Sequence, residues 1–355
     1  MSDGTAAPRR RLTKTHKRLL GAGGTIAVAV AVFAFVLPRI ADYRDVFDVL
    51  RGLDWQDWVL LAAAVVLNLS TFAPPWMAAL PVLGFRHAIV LTQASTALSI
   101  VSPAGAAVGM AGSFSMLRSW GFDRRSVGLA VAIAGVWNQL LNFAFPLVAL
   151  ALLTAAGEVH RGLTIAALIG TVVLALVIAG FALGLWKERW ARRFGDLAAH
   201  WVGRTKRLVR MGPVGWRGEG FVQFRRQALG LLRRRWHVIT VATLAGNLTV
   251  FVLLVVCLHV VGVTSSEVTV VEAFAAWALV RILGALPLTP AGVGIVEVGL
   301  TGALVAFGAP NAEAVAATLL YRALSVLPTL VLGLAAAATW RTHHPREAVD
   351  FPGDP

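Results

Sequence analysis

The chain has 355 residues, 57% of them hydrophobic and only 14% charged, with a mean hydropathy of +0.74. A soluble protein of this length needs nearer a quarter of its residues charged to coat its surface, so this composition excludes an ordinary water-soluble globule and fits one dissolved in lipid. Thirty-two Lys and Arg against 18 Asp and Glu give a formal charge of +14, which suits the cytoplasmic loops of a membrane protein and does not require nucleic acid.

Residues 1–18 form a basic tail carrying Arg9, Arg10, Arg11, Lys14, Lys17 and Arg18. The apolar run from Leu19 to Leu37 then predicts an uncleaved first crossing with its N-terminus in the cytoplasm. Further crossings are predicted at about 58–83, 126–153, 162–185, 237–262 and 312–340, which makes six. Two other apolar stretches, 88–117 and 272–307, are broken in the middle, by Ser102-Pro103-Ala104-Gly105 and by Thr289-Pro290-Ala291-Gly292.

Charge decides what these two stretches are. Arg86 precedes the first and Arg118, Arg124 and Arg125 follow it, so both its ends belong on the cytoplasmic side and it reads as a re-entrant hairpin. The second runs between Glu267 and Glu313 and is expected to enter from the opposite face. With this topology Arg39, Arg44, Arg51 and Arg161 lie outside, Arg281 and Arg322 lie in the membrane, and the other 26 of the 32 basic residues are cytoplasmic. The fold class expected is an all-α polytopic membrane protein with six transmembrane helices and two oppositely inserted hairpins, in one transmembrane domain over 19–340. A cytoplasmic tail follows at 341–355.

The hairpins also match in sequence. Pro103 to Gly121 and Pro290 to Gly308 are the same distance apart, and each final glycine follows an aromatic residue, Trp120 or Phe307. Opposed copies of one unit predict an inverted-topology repeat, an arrangement that builds midplane binding sites from broken helices. The competing reading is two ordinary spans kinked by Pro and Gly.

Ionisable residues at mid-membrane are costly and mark candidate sites. Arg281 and Glu297 flank the Pro290 turn and Arg322 sits in the last crossing, beside Tyr321. Gly292 and Gly294 let a ligand approach the backbone, and the N–H groups at the start of the returning half-helix favour an anion. Two guanidinium groups suit a phosphate. Alternatively Glu297 pairs with one arginine and fastens the hairpin to the last helix. The first hairpin has Met110 where the second has Glu297, and offers Ser102, Pro103 and Gly105 at its turn; the next helix adds Asn138 and Asn142, one helical turn apart, as binding groups or interhelical bridges.

The segment 187–236 carries 14 basic residues, and Trp186 just before it recurs with Trp190, Phe194 and Trp201 at helical spacing. It reads as an amphipathic helix on anionic lipid, not a nucleic-acid site. The histidines show no metal-ligand spacing and the single cysteine, Cys257, lies in an apolar run, so no metal, cofactor or internal disulfide is expected.

The run Arg281-Ile282-Leu283-Gly284, Leu286-Pro287, Pro290-Ala291-Gly292-Val293-Gly294-Ile295-Val296-Glu297, then Tyr321-Arg322 and Pro328, resembles the lysylphosphatidylglycerol synthase transmembrane, or flippase-like, family. The resemblance implies a bacterial cytoplasmic-membrane protein that moves a charged phospholipid between leaflets, with Arg281, Pro290, Gly292, Gly294, Glu297 and Arg322 in the lipid path. It also implies the stand-alone form, lacking the soluble aminoacyl-transferase domain of fused relatives, and hence no enzyme activity. Two other functions fit the sequence: a membrane-embedded lipid-headgroup transferase, which would need a nucleophile or an acid–base pair, and a non-transporting subunit of envelope glycosyl transfer, which would not need Glu297 or Arg322.

Overall fold

The structure, a computed structural model, describes residues 43–102, 105–157, 218–285 and 292–339, with short pieces between 165 and 180. The first predicted crossing, more than half of the one at 162–185, the basic stretch 187–217, both tails, and Pro103 and Pro290 lie outside the described residues.

Ten helices order the described chain, and no strand occurs among these residues. They are α1 (Tyr43–Arg51), α2 (Trp55–Thr71), α3 (Ala73–Ala79), α4 (Phe85–Val101), α5 (Gly105–Ser119), α6 (Arg124–Ala155), α7 (Gly218–Val260), α8 (Val270–Ala285), α9 (Ile295–Phe307) and α10 (Asn311–Thr339). Four segments are long and apolar enough to cross a membrane: α2 with α3, α6, most of α7, and α10. They coincide with four of the predicted crossings.

Local chemistry sets where these helices begin and end. Asp123 opens α6 by accepting the N–H groups of Arg125 and Ser126 at 2.9 and 3.0 Å. Pro74 and Pro75 stand in the first turn of α3, where a missing N–H is tolerated, so the run read as 58–83 is two helices broken at Phe72. The segment 218–236, expected to belong to an amphipathic helix separate from the next crossing, is continuous helix with that crossing. At 1.5 Å per residue α7 is roughly 64 Å long, about twice the hydrocarbon thickness, so its N-terminal half projects beyond the bilayer.

Both broken stretches are pairs of short helices packed on each other, α4 with α5 and α8 with α9. The glycines that close the two copies do the same job. Gly121 and Gly308 have φ of 89° and 122°; Phe122 N–H reaches the Leu117 carbonyl at 3.2 Å, and Ala309 N–H the Leu304 carbonyl at 3.0 Å. The same helix-ending motif, with glycine in the left-handed region, also closes α7 at Gly262, where the Val263 N–H reaches the Leu258 carbonyl at 3.0 Å.

The apolar interior divides in two. One core gathers around α4 and α5, with Val127 to Ile133 of α6 and Ala228 to Ile239 of α7. The other gathers around α8 and α9, with Phe145 to Leu153 of α6, Val250 to Val261 of α7 and Ala314 to Tyr321 of α10. Each hairpin therefore owns one core, and the cores sit at opposite ends of α6 and α7. The lengths of α6, α7 and α10 between them carry the polar residues.

Candidate functional site

Depth follows from position along each helix. Arg281 is 11 residues into α8, Glu297 is 10 before the end of α9, and Arg322 is 11 into α10. At 1.5 Å per residue each is about 15–17 Å from that helix end, half the thickness of a ~30 Å hydrocarbon layer.

Glu297, 3% exposed, is held twice. Its Oε1 takes a hydrogen bond from Arg322 Nε at 2.8 Å, an ion pair that ties α9 to α10. Its Oε2 accepts the Gly294 N–H at 2.7 Å, so a side chain of the first helical turn caps its own helix. The N–H of Gly294, expected from the sequence to be open to an anionic ligand, is thus already given to a carboxylate. Gly292 and Gly294 have φ of 67° and 89°. A Cβ on Gly292 would lie 2.8 Å from Val296 Cγ2 and 3.4 Å from the Cα of Gly284, so the turn needs glycine for both its conformation and its space.

Arg281 is paired differently. Its Nε and Nη2 donate to Asn142 Oδ1 at 3.0 and 2.6 Å, and Nη2 also donates to Asn247 Oδ1. The guanidinium carbon lies 4.8 Å from the ring centre of Trp277 and 5.8 Å from that of Phe145. These rings belong to a packed aromatic group with Phe251 and Phe274. Asn247 is fixed by its own amide, which donates to the Thr243 carbonyl at 2.8 Å and reaches Asn138 Oδ1 at 3.5 Å; Asn142 donates to Gln139 Oε1 at 3.1 Å.

Arg281 and Arg322 meet at a cavity of about 210 Å³, lined also by Trp277, Gly284, Val296 and the buried Tyr321. The cavity thus lies among α8, α9 and α10, at the edge of the core they share, and α6 and α7 contribute the amides that hold Arg281.

Of the residues singled out in the sequence, Arg281, Gly292, Gly294, Glu297, Tyr321, Arg322 and Asn142 come together here, with Asn138 at the edge. Ser102 and Gly105 do not join them through any hydrogen bond among the described residues: the Ser102 carbonyl accepts the Gly105 N–H at 3.0 Å and closes the α4–α5 turn. The reading of the sequence passed over Asn247 and Trp277. A carboxamide within the apolar run of α7 was a signal of the same kind as Asn138 and Asn142, whereas Trp277 has no mark that separates it from a core aromatic.

An all-helical, multi-pass membrane protein with an ionised site on interrupted helices is the class these features define. The model of the lysylphosphatidylglycerol synthase TM region matches residues 24–333, and the chain belongs to that family. Comparison with curated proteins found no match.

Proposed function

We propose that this protein is a lipid transporter that carries an anionic or zwitterionic headgroup between leaflets while the acyl or prenyl chains stay in the bilayer. The observation that carries this reading is the mid-depth cavity lined by two arginines, one of them paired to the Glu297 carboxylate, within the apolar core built on α8 and α9. Charge at that depth is expensive and needs a use beyond fastening helices. Membership of the family supports the same direction.

The full arrangement proposed is six crossings and two hairpins inserted from opposite faces, with both termini in the cytoplasm of a bacterial cell and the basic stretch 187–236 on anionic lipid. Two cores, each centred on one hairpin, are suited to rocking against each other about the polar interval. Hydrogen-bonded amides there exchange partners at lower cost than interdigitated apolar side chains would. No chemical step on the lipid is included.

Reconstitution tests it. Purified protein in liposomes containing a panel of headgroup-labelled lipids should raise the rate of exchange between leaflets for at least one of them, and Glu297→Gln and Arg281→Gln should bring that rate down towards that of protein-free liposomes. A wild-type protein that moves none of the panel faster than empty liposomes sinks the reading.

A further inference from the structure

The two arginines at the cavity differ in what answers their charge. Arg322 faces the Glu297 carboxylate at 2.8 Å. Arg281 gives its Nε and Nη2 to the amide oxygens of Asn142 and Asn247, which are neutral, and rests on the rings of Trp277 and Phe145, which attract a cation but do not cancel it. No carboxylate among the described residues lies within ion-pair distance of Arg281. Summed over Arg281, Arg322 and Glu297, the site carries one positive charge, and Nη1 of Arg281 remains to donate.

That sum sets the charge of the ligand that fits. A buried site is stable when its charges balance, and at low dielectric an excess of either sign is penalised. Resting on the transport reading above, we infer that the cavity selects a headgroup joined through a single phosphodiester, one negative charge at the phosphate, over a phosphomonoester or a diphosphate. A monoester carries about −1.5 to −2 near neutral pH and would leave the site negative. A diphosphate carries more still. The volume agrees: at about 210 Å³ the cavity falls below the roughly 300–1,000 Å³ that encloses a drug-sized molecule, and holds the phosphate and its immediate neighbour, not a whole lipid. Glycerophospholipids and polyprenyl phosphosugars share this chemistry.

Binding to the full chain in detergent, read by native mass spectrometry, tests the inference with four probes: phosphatidylglycerol, a polyprenyl phosphosugar, phosphatidic acid and a polyprenyl diphosphate. One of the first two should bind about tenfold more tightly than either of the last two, and the tighter one identifies the source. Asn142→Asp keeps the shape and places a carboxylate against Arg281, and should lower phosphodiester binding by about tenfold or more. Phosphatidic acid or the diphosphate binding as tightly as the phosphodiesters would overturn the inference, and so would undiminished phosphodiester binding by a folded Asn142→Asp protein. The wild-type ranking decides even where that variant does not fold. Since binding is read and not movement, a protein that prefers phosphodiesters yet transfers nothing sinks the transport reading alone.

Discussion

Glu297 and Arg322 are each other's answer in charge, so the effect of removing one depends on whether the other is present. Deleting one member of a buried pair leaves the partner without a counter-charge and costs about 3–5 kcal/mol, while replacing both by neutral groups is often tolerated. Arg322→Gln and Glu297→Gln should each lower the melting temperature of the purified protein, and the double variant should recover most of the loss. Additive losses in that double-mutant cycle would mean that the two side chains stabilise the fold independently, against the 2.8 Å contact between them. Transfer, measured on the recovered double variant, separates the roles: its absence in a stable protein assigns the pair to function, its persistence assigns it to fastening. The charges themselves were legible in the sequence, because an ionised residue in an apolar run stands out. Their partners were not. Arg281 could as well have taken Glu297, 16 residues away across the turn, and only packing brings α6 and α7 up with two amides that satisfy it instead.

At the scale of single helices, spacing in sequence carried further. The glycines Gly121 and Gly308, marked in the sequence as the ends of the two broken stretches, do end α5 and α9, because the glycine that ends a helix in the left-handed conformation is fixed by local geometry and needs no tertiary information. The broken run at Phe72 and the long N-terminal extension of α7 were not visible. Hydropathy averages over a short kink and stops where a helix leaves the lipid, although the helix does not. Helix-level predictions follow from the same local terms. The Asp123 carboxyl feels burial, which raises its pKa, but the N–H groups of Ser126 and Arg125, with the Arg125 charge, outweigh it and hold it below the usual value. A carboxylate lowered on folding stabilises above its unfolded pKa and loses that contribution as pH falls through the folded value. Asp123→Ala should therefore cost about 1 kcal/mol at neutral pH, and the gap from wild type should close below about pH 4, read as melting temperature against pH. Glycines give a matched pair. A Cβ on Gly333 would run into the Gln93 carbonyl and Ala97 of α4, whereas one on Gly302 meets nothing within 4 Å. Gly333→Ala should push α10 from α4 and destabilise; Gly302→Ala should be neutral or stabilising by up to about 1 kcal/mol of helix propensity. Equal effects in a thermal scan would deny the close approach of α4 and α10.

For the whole molecule the question is whether α4–α5 and α8–α9 are hairpins inserted from opposite faces. Two observations with separate origins bear on it. Basic residues flank α4 and α5, through Arg86, Arg118, Arg124 and Arg125, and carboxylates flank α8 and α9, through Glu267 and Glu313. The cores built on the two hairpins occupy opposite ends of α6 and α7. If both follow from opposed insertion, the loop after α5 faces the cytoplasm and the loop before α8 faces outward, with the Gly105 and Gly292 turns meeting the polar interval from opposite sides. Replacing the buried Cys257 gives a background in which single new cysteines report their side. In intact cells an impermeant maleimide should label Ser265→Cys, which is exposed in the loop before α8, and should label Ser119→Cys, exposed at the end of α5, only after the cells are opened. Cysteines at 160 and 210 should divide the same way, outside and inside. Cysteines at Ala104 and Ala291 should then react from the cytoplasmic side alone and the external side alone. Labelling of Ser119→Cys and Ser265→Cys from one side would put both hairpins on the same face, end the inverted repeat, and with it the rocking of one core against the other.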